Sequence, residues 1–227
     1  MDPQIKVFDK FYDELLSSEA ILQAPGIQKV TGSPSYNLMS EEDTQSLQDF
    51  LNSCQGQSLL EFGCGLSPCS QLKKNLMGKN PQIIGLDFSS RAIQENLKTY
   101  PKEKFTTYHQ HIMPTFQYDH LVLTDALYQG SRKKSFTETL TRLLKNCEKS
   151  ALIIQIHQEE NPHELYPSGN TQKDSTESFK IHVKTWLEFI QREEVQRERQ
   201  KFKLLWDTIA REMNHHWNLL EQNRLKR

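Results

Sequence analysis

No run in this sequence approaches the roughly 20 consecutive apolar residues that a membrane-spanning helix requires, and Met1 to Lys6 lack a basic region followed by an apolar core. A soluble, cytoplasmic protein with no membrane partner is expected. The four cysteines, Cys54, Cys64, Cys69 and Cys147, form no C-x-x-C unit, which argues against a zinc site or a disulfide framework and for reduced thiols. Neither sign of charge dominates: 28 Lys and Arg stand against 29 Asp and Glu, a formal net charge of -1. With no overall basic field, a nucleic-acid partner is not expected on electrostatic grounds. Internal repeats and low-complexity tracts are also missing. What remains is 227 residues, enough for one large globular domain with a core of its own and an appendage.

The stretch that organises this chain is Leu59-Leu60-Glu61-Phe62-Gly63-Cys64-Gly65-Leu66-Ser67-Pro68. An apolar run without alternation suits a strand buried on both faces. Glycines at alternate positions after it let the backbone turn tightly and approach a ligand, because no Cβ intervenes. Ser67 to Met77 then reads as a helix whose first amides point back at the turn. A second apolar run, Gln82 to Leu86, ends at Asp87.

Around this pair the chain alternates. Residues 5–23 carry an apolar stripe at helical spacing, Pro25-Gly26 interrupts it, and a second helix with Leu47, Phe50 and Leu51 on one face precedes the first strand. After Asp87, Ser89 or Ser90 caps a helix with Ala92, Ile93, Asn96 and Leu97 as its buried positions. Phe105 to His109 reads as a polar edge strand and Asp119 to Thr124 as a clear one. Phe136, Leu140, Leu143, Leu144 and Cys147 mark another helix, and Ala151 to Ile156 the next strand. Strands alternating with helices of this length predict crossovers, and so a doubly wound α/β fold with a mostly parallel sheet. Its ligand is expected beyond the carboxyl ends of the strands, where the topology reverses. Residues 158–178 are polar and rich in turn residues, a long loop or lid. Phe179 to Lys184 alternate as a strand would, whereas Trp186, Phe189 and Ile190 return to helical spacing, so both readings stand. From Phe202 to Leu220 the periodicity predicts a long amphipathic helix, its stripe serving either the core or a homodimer contact.

An acid about twenty residues beyond a strand and glycine turn suits cofactors that carry an adenosine ribose, since a carboxylate accepts hydrogen bonds from both hydroxyls. The dinucleotide fingerprint needs a third glycine for close helix packing. Here Pro68 stands in its place, against a pyrophosphate ligand. Glu61-Phe62-Gly63-Cys64-Gly65 instead resembles motif I of the class I, Rossmann-like S-adenosylmethionine-dependent methyltransferases, and the resemblance runs in motif order from Leu59 to Ile156. It implies S-adenosyl-L-methionine as cofactor and S-adenosyl-L-homocysteine as product. Glu61, Gly63, Cys64 and Gly65 would surround the methionine part, Asp87 would hold the ribose, and Phe88 would lie beside the adenine. In His109-Gln110-His111, where the family often has an acid, Gln110 or His111 would meet the adenine edge. Asp125 to Tyr128 would line the cofactor and the substrate entrance. The sequence departs from the family at Ser67-Pro68 and lacks a recognisable closing β-hairpin, which leaves a divergent, largely helical C-terminus.

Residues 1–55 then form an N-terminal helical and lid segment, 56–160 the cofactor-binding core, and 161–227 a lid loop and helical extension of the same domain. Methyl transfer from a sulfonium needs an acceptor held in line and water excluded, and a base where the acceptor is protonated. Asp125, Tyr128 and His157 are the catalytic candidates, at or just past strand carboxyl ends, and Tyr36, Asn37 and Tyr128 the lid and substrate candidates. His109 and His111 have no third ligand nearby, so no metal is expected. The reading that results is a methyltransferase acting on a nitrogen or oxygen of a small molecule. A cofactor-fold scaffold that binds a partner, or an enzyme acting on protein or RNA, are the alternatives.

Overall fold

The computed structural model describes residues 3–25, 39, 41–76, 78–108, 114–124, 133–154, 157–158, 176–222 and 225–226. Five strands, β1 (Ser58–Phe62), β2 (Gln82–Asp87), β3 (Lys104–Thr107), β4 (Tyr118–Thr124) and β5 (Cys147–Ile154), lie in one sheet of order β3-β2-β1-β4-β5, with the polar β3 at one edge. Every pairing in it is parallel. The chain winds outward from β1 to β3, then crosses back to place β4 on the other side of β1, which makes the carboxyl end of β1 the point where the winding reverses.

Side chains alternate between two cores, as the pleat requires. Leu59 and Val122 pack with Leu47 and Leu51 of α2 (Glu41–Ser53) and Leu72 of α3 (Pro68–Lys73). Leu60, Phe62, Leu121 and Leu123 pack on the other face with Leu140 and Leu143 of α5 (Lys133–Lys145). Between β2 and β3 runs α4 (Ser90–Thr99), capped by Ser89, whose Oγ accepts from Ala92 N at 3.1 Å. Its buried face is Ala92, Ile93 and Asn96, whereas Leu97, expected among the buried positions, is exposed. Two other expectations shift. Leu144 is solvent-facing rather than core, and Cys147 opens β5 instead of closing the helix, since α5 ends at Lys145. The helix after the glycine turn is shorter than the spacing suggests and stops at Lys73.

A third core is built from the two ends of the described chain. The N-terminal α1 (Pro3–Ser17) and a 3-10 turn (Ala20–Gln23) contribute Phe11, Leu15 and Ile21. The segment 179–190, which fitted either a strand or a helix, lies in α6 (Thr176–Ile190), and Val183, Trp186 and Phe189 meet the same core. It is joined by α7 (Glu193–Lys201) and α8 (Lys203–Glu221), whose Trp206, Ile209 and Met213 are fully buried. The apolar stripe of the last helix is therefore largely buried within the chain. Leu66 of the glycine turn and Ala92 of α4 belong to this cluster too, so the helical layer sits against the place where β1 gives way to α3. Glu198 of α7 fastens the layer, accepting from Ser18 Oγ and from the amides of Glu19 and Ala20 at 2.9 Å. A two-stranded antiparallel pair, β6 (His157–Gln158) with β7 (Leu225–Lys226), lies outside the main sheet.

Candidate functional site

The turn after β1 is held in an unusual backbone shape by its own sequence. Gly63 and Gly65 have φ of 68° and 47°, where a Cβ would be strained, and Ser67 follows at 52°. Ser67 accepts that conformation because its hydroxyl is used three ways. It takes the Ser70 amide at 3.2 Å as the cap of α3, donates to Glu61 Oε2 at 2.5 Å, and lies 2.7 Å from Ser70 Oγ. Pro68 opens the helix, where a missing N–H costs nothing.

Two buried carboxylates bracket the turn. Glu61, at 1% exposure, accepts from the Cys69 amide at 3.0 Å as well as from Ser67. Burial pushes its pKa up to about 7, against the pull of those hydrogen bonds. Asp87, at the end of β2, accepts from Gly65 N with one oxygen and from Ser89 N with the other, both at 2.8 Å. Its pKa is likewise raised by burial, although the backbone donors oppose that. A carboxylate has about four lone-pair sites, so Asp87 keeps acceptor capacity beyond these two amides. Asn96 of α4 completes the hold, donating to Gly65 O at 2.6 Å.

The N-terminal helix reaches the same turn. A Cβ built on Gly65 would lie 2.6 Å from the Tyr12 hydroxyl, so the ring of Tyr12 comes from α1 to within contact of the glycine backbone. Asp9, one turn earlier, accepts from Ser89 Oγ, Ser90 Oγ and Arg91 N at 2.7, 2.8 and 3.0 Å and seats α1 on the start of α4. Burial raises the Asp9 pKa, but these donors outweigh it and the net direction is down. Arg91 then pairs with Asp13 at 2.6 Å. Tyr12 was invisible in sequence because it sits in an apolar helical stripe that reads only as core, and Asp9 because an acid on a helix reads as solvated surface. Asn96 did carry a signal, a polar residue at a buried helical position.

Beside Asp87 an aromatic wall closes the site. Phe88 packs on Tyr108 with ring centroids 4.0 Å apart, and Tyr108 on Phe62 at 4.6 Å. The amide of Tyr108, just past β3, donates to Asp87 O at 3.0 Å, which brings a ring missed in the sequence to the position next to Phe88. Glu61, Gly63, Cys64, Gly65, Asp87 and Phe88 are thus brought together at the carboxyl ends of β1 and β2. Tyr36, Asn37, Gln110, His111, Asp125 and Tyr128 lie outside the described residues, as do residues 26–38 and 159–175 of the segments expected from the sequence to form lids. His157 has a described backbone only, paired with Lys226. Among the described residues no group of three or more His, Cys, Asp or Glu is arranged to hold a metal, and no helix is long and apolar enough to cross a membrane.

No family model matches the sequence, and no curated protein matches it. Solved structures do. The cyclopropane synthase MmaA2 from Mycobacterium tuberculosis superposes with a TM-score of 0.65 over 100% of this chain and 96% of its own, at 12% identity. The mycolic acid cyclopropane synthase CmaA1, solved with S-adenosylhomocysteine, gives 0.63 over 100% and 96%, also at 12% identity. The cyclase SpnF gives 0.61 over 97% and 91%, again at 12%. Likeness across nearly the whole length, at such low identity, shows that the chain has the class I methyltransferase fold.

Proposed function

We propose that this protein binds S-adenosylmethionine at the β1 turn and transfers its methyl group to a nitrogen or oxygen of a small-molecule acceptor. The observation that carries the reading is the pairing of the Gly63–Gly65 turn with Asp87, a carboxylate bonded to the turn it faces. The residues present fit such a ligand. Asp87 has acceptor sites for two ribose hydroxyls, Phe88 and Tyr108 offer an apolar face for a purine, and the positive-φ glycines let the backbone come close to the ligand. Two buried carboxylates with raised pKa also favour a cationic ligand, because a nearby positive charge offsets their cost of ionisation.

When bound, the cofactor supplies an activated methyl on a sulfonium. The chain's part is to position and to exclude water. Asp87 and Asn96 hold the Gly65 peptide from two sides, Glu61 and Ser67 hold the start of α3, and Tyr12 covers the turn from α1. Asp125, Tyr128 and His157 are the residues we propose for accepting a proton from the acceptor, with Gln110 or His111 at the adenine edge and Tyr36 and Asn37 in the lid.

Calorimetry with S-adenosylmethionine, S-adenosylhomocysteine and NAD tests the reading. Binding of the two adenosyl-sulfur ligands without NAD is expected, followed by methyl transfer to members of an amine and phenol panel. Absence of binding at high micromolar concentration defeats the proposal.

A further inference from the structure

A concavity of about 920 Å³ lies between α1 and the last two helices, with Lys10, Arg199, Lys203, Arg211 and His215 in its lining and Asp207 as its one acid. That acid and Arg199 answer each other at 2.7 Å, while the Arg211 guanidinium reaches only the neutral Asp207 carbonyl and Thr208 hydroxyl. Lys10 lies 3.8 Å from Glu14 Oε1, and the other oxygen of that carboxylate accepts from the Leu205 amide at 2.7 Å. Lys203 and Arg211 have no carboxylate partner among the described residues. Positive charge thus collects on one cleft of a chain whose formal net charge is -1.

We propose that this cleft docks an acidic segment of a partner protein. The lining follows one stripe of α8 from Lys203 to Asn218, roughly 22 Å at the rise of an α-helix, which an extended peptide of about seven residues would span. Lys203 and Arg211 stand about 12 Å apart along it, and Lys10 faces them from α1. Ala210 and Leu204 give the floor a narrow apolar strip, and Asn214 and Asn218 offer amides to a peptide backbone. The lining holds no Phe, Tyr or Trp on which a base could stack, so a single-stranded nucleic acid is the poorer occupant. The cations stand at an exposed rim, the Lys10 side chain at 67%, which suits a macromolecular segment better than an enclosed small anion. This inference does not depend on the cofactor at the glycine turn.

The test is fluorescence anisotropy of the full chain with a labelled heptapeptide of alternating Asp and Glu at about 50 mM salt, where charge pairs are little screened. Saturable binding is expected, weakening as salt rises. Lys203→Glu with Arg211→Glu should weaken it at least about tenfold, while Lys98→Glu with Lys184→Glu, the same charge change on exposed residues elsewhere, should leave it within about twofold. Far-UV circular dichroism checks that each variant folds, and the Lys203→Gln, Arg211→Gln pair replaces any that does not, with an intermediate loss expected. The proposal is overturned by lack of binding, by equal losses in the cleft and control variants, or by tighter binding of a seven-nucleotide RNA or of phosphatidylserine vesicles than of the peptide.

Discussion

At the scale of single residues, Glu61 and Asp87 are the two buried carboxylates of the turn, and burial raises the pKa of both. Glu61 titrates at about 7 in the folded chain against an ordinary value of 4.5, because burial disfavours its charge. Between those values the folded protein keeps a proton that the unfolded one releases, so the contribution of this group to stability is present below pH 4.5 and is lost as pH rises through about 7. The melting temperature of the native chain should therefore fall more steeply across that range than that of Glu61→Gln, and parallel slopes would remove Glu61 as the cause. Asp87→Ala should weaken S-adenosylhomocysteine binding by about 1.5–3 kcal/mol, the scale of charged hydrogen bonds. Calorimetric affinity that does not change would take Asp87 out of the ribose site.

At the scale of elements, the joint between α1 and α4 matters most, since it decides whether Tyr12 stays over the glycine turn. Asp9 is the acceptor for three donors at the start of α4, and its carboxylate titrates below the ordinary 3.8. Its contribution holds above that value and disappears as pH falls through the lowered one. Asp9→Ala is expected to cost about 1–2 kcal/mol in urea unfolding at neutral pH, the range of a lost helix cap. Gly65→Ala places a methyl against the Tyr12 hydroxyl at a φ of 47° and should destabilise by about 1–3 kcal/mol. Adding Tyr12→Phe should recover part of that loss, the part due to the clash rather than to the backbone. Strict additivity of the two changes would show that Tyr12 does not touch the turn.

At the scale of the whole molecule, the helical layer and the sheet meet through Leu66 and Ala92. All three tryptophans, Trp186, Trp206 and Trp217, belong to that layer, so their fluorescence reports its unfolding while circular dichroism reports the whole chain. We expect the two transitions to coincide, as for one cooperative domain divided at about residues 55 and 160 only by function. Trp206→Ala, at a fully buried site, should lower stability by about 3–5 kcal/mol by both probes. A fluorescence transition that precedes the other would make the layer a separate unit.

Periodicity and turn chemistry determined by themselves the strand order along the chain, the parallel sheet, and the meeting of Glu61, Gly63, Gly65 and Asp87 at one end of it. Those features depend on local backbone preference and on which face of an element is apolar, and both are written within a dozen residues. The ambiguity of Phe179 to Lys184 shows the limit: alternation and helical spacing coexist there, and burial of Val183 and Trp186 against α8 chose the helix. Tertiary structure alone brought the chain's two ends into one core, laid Tyr12 on Gly65, set Tyr108 beside Phe88, and gathered Lys10 with Lys203 and Arg211. Each of these joins residues far apart in sequence, and their meeting follows from how complete apolar faces pack against one another rather than from any signal carried near either partner.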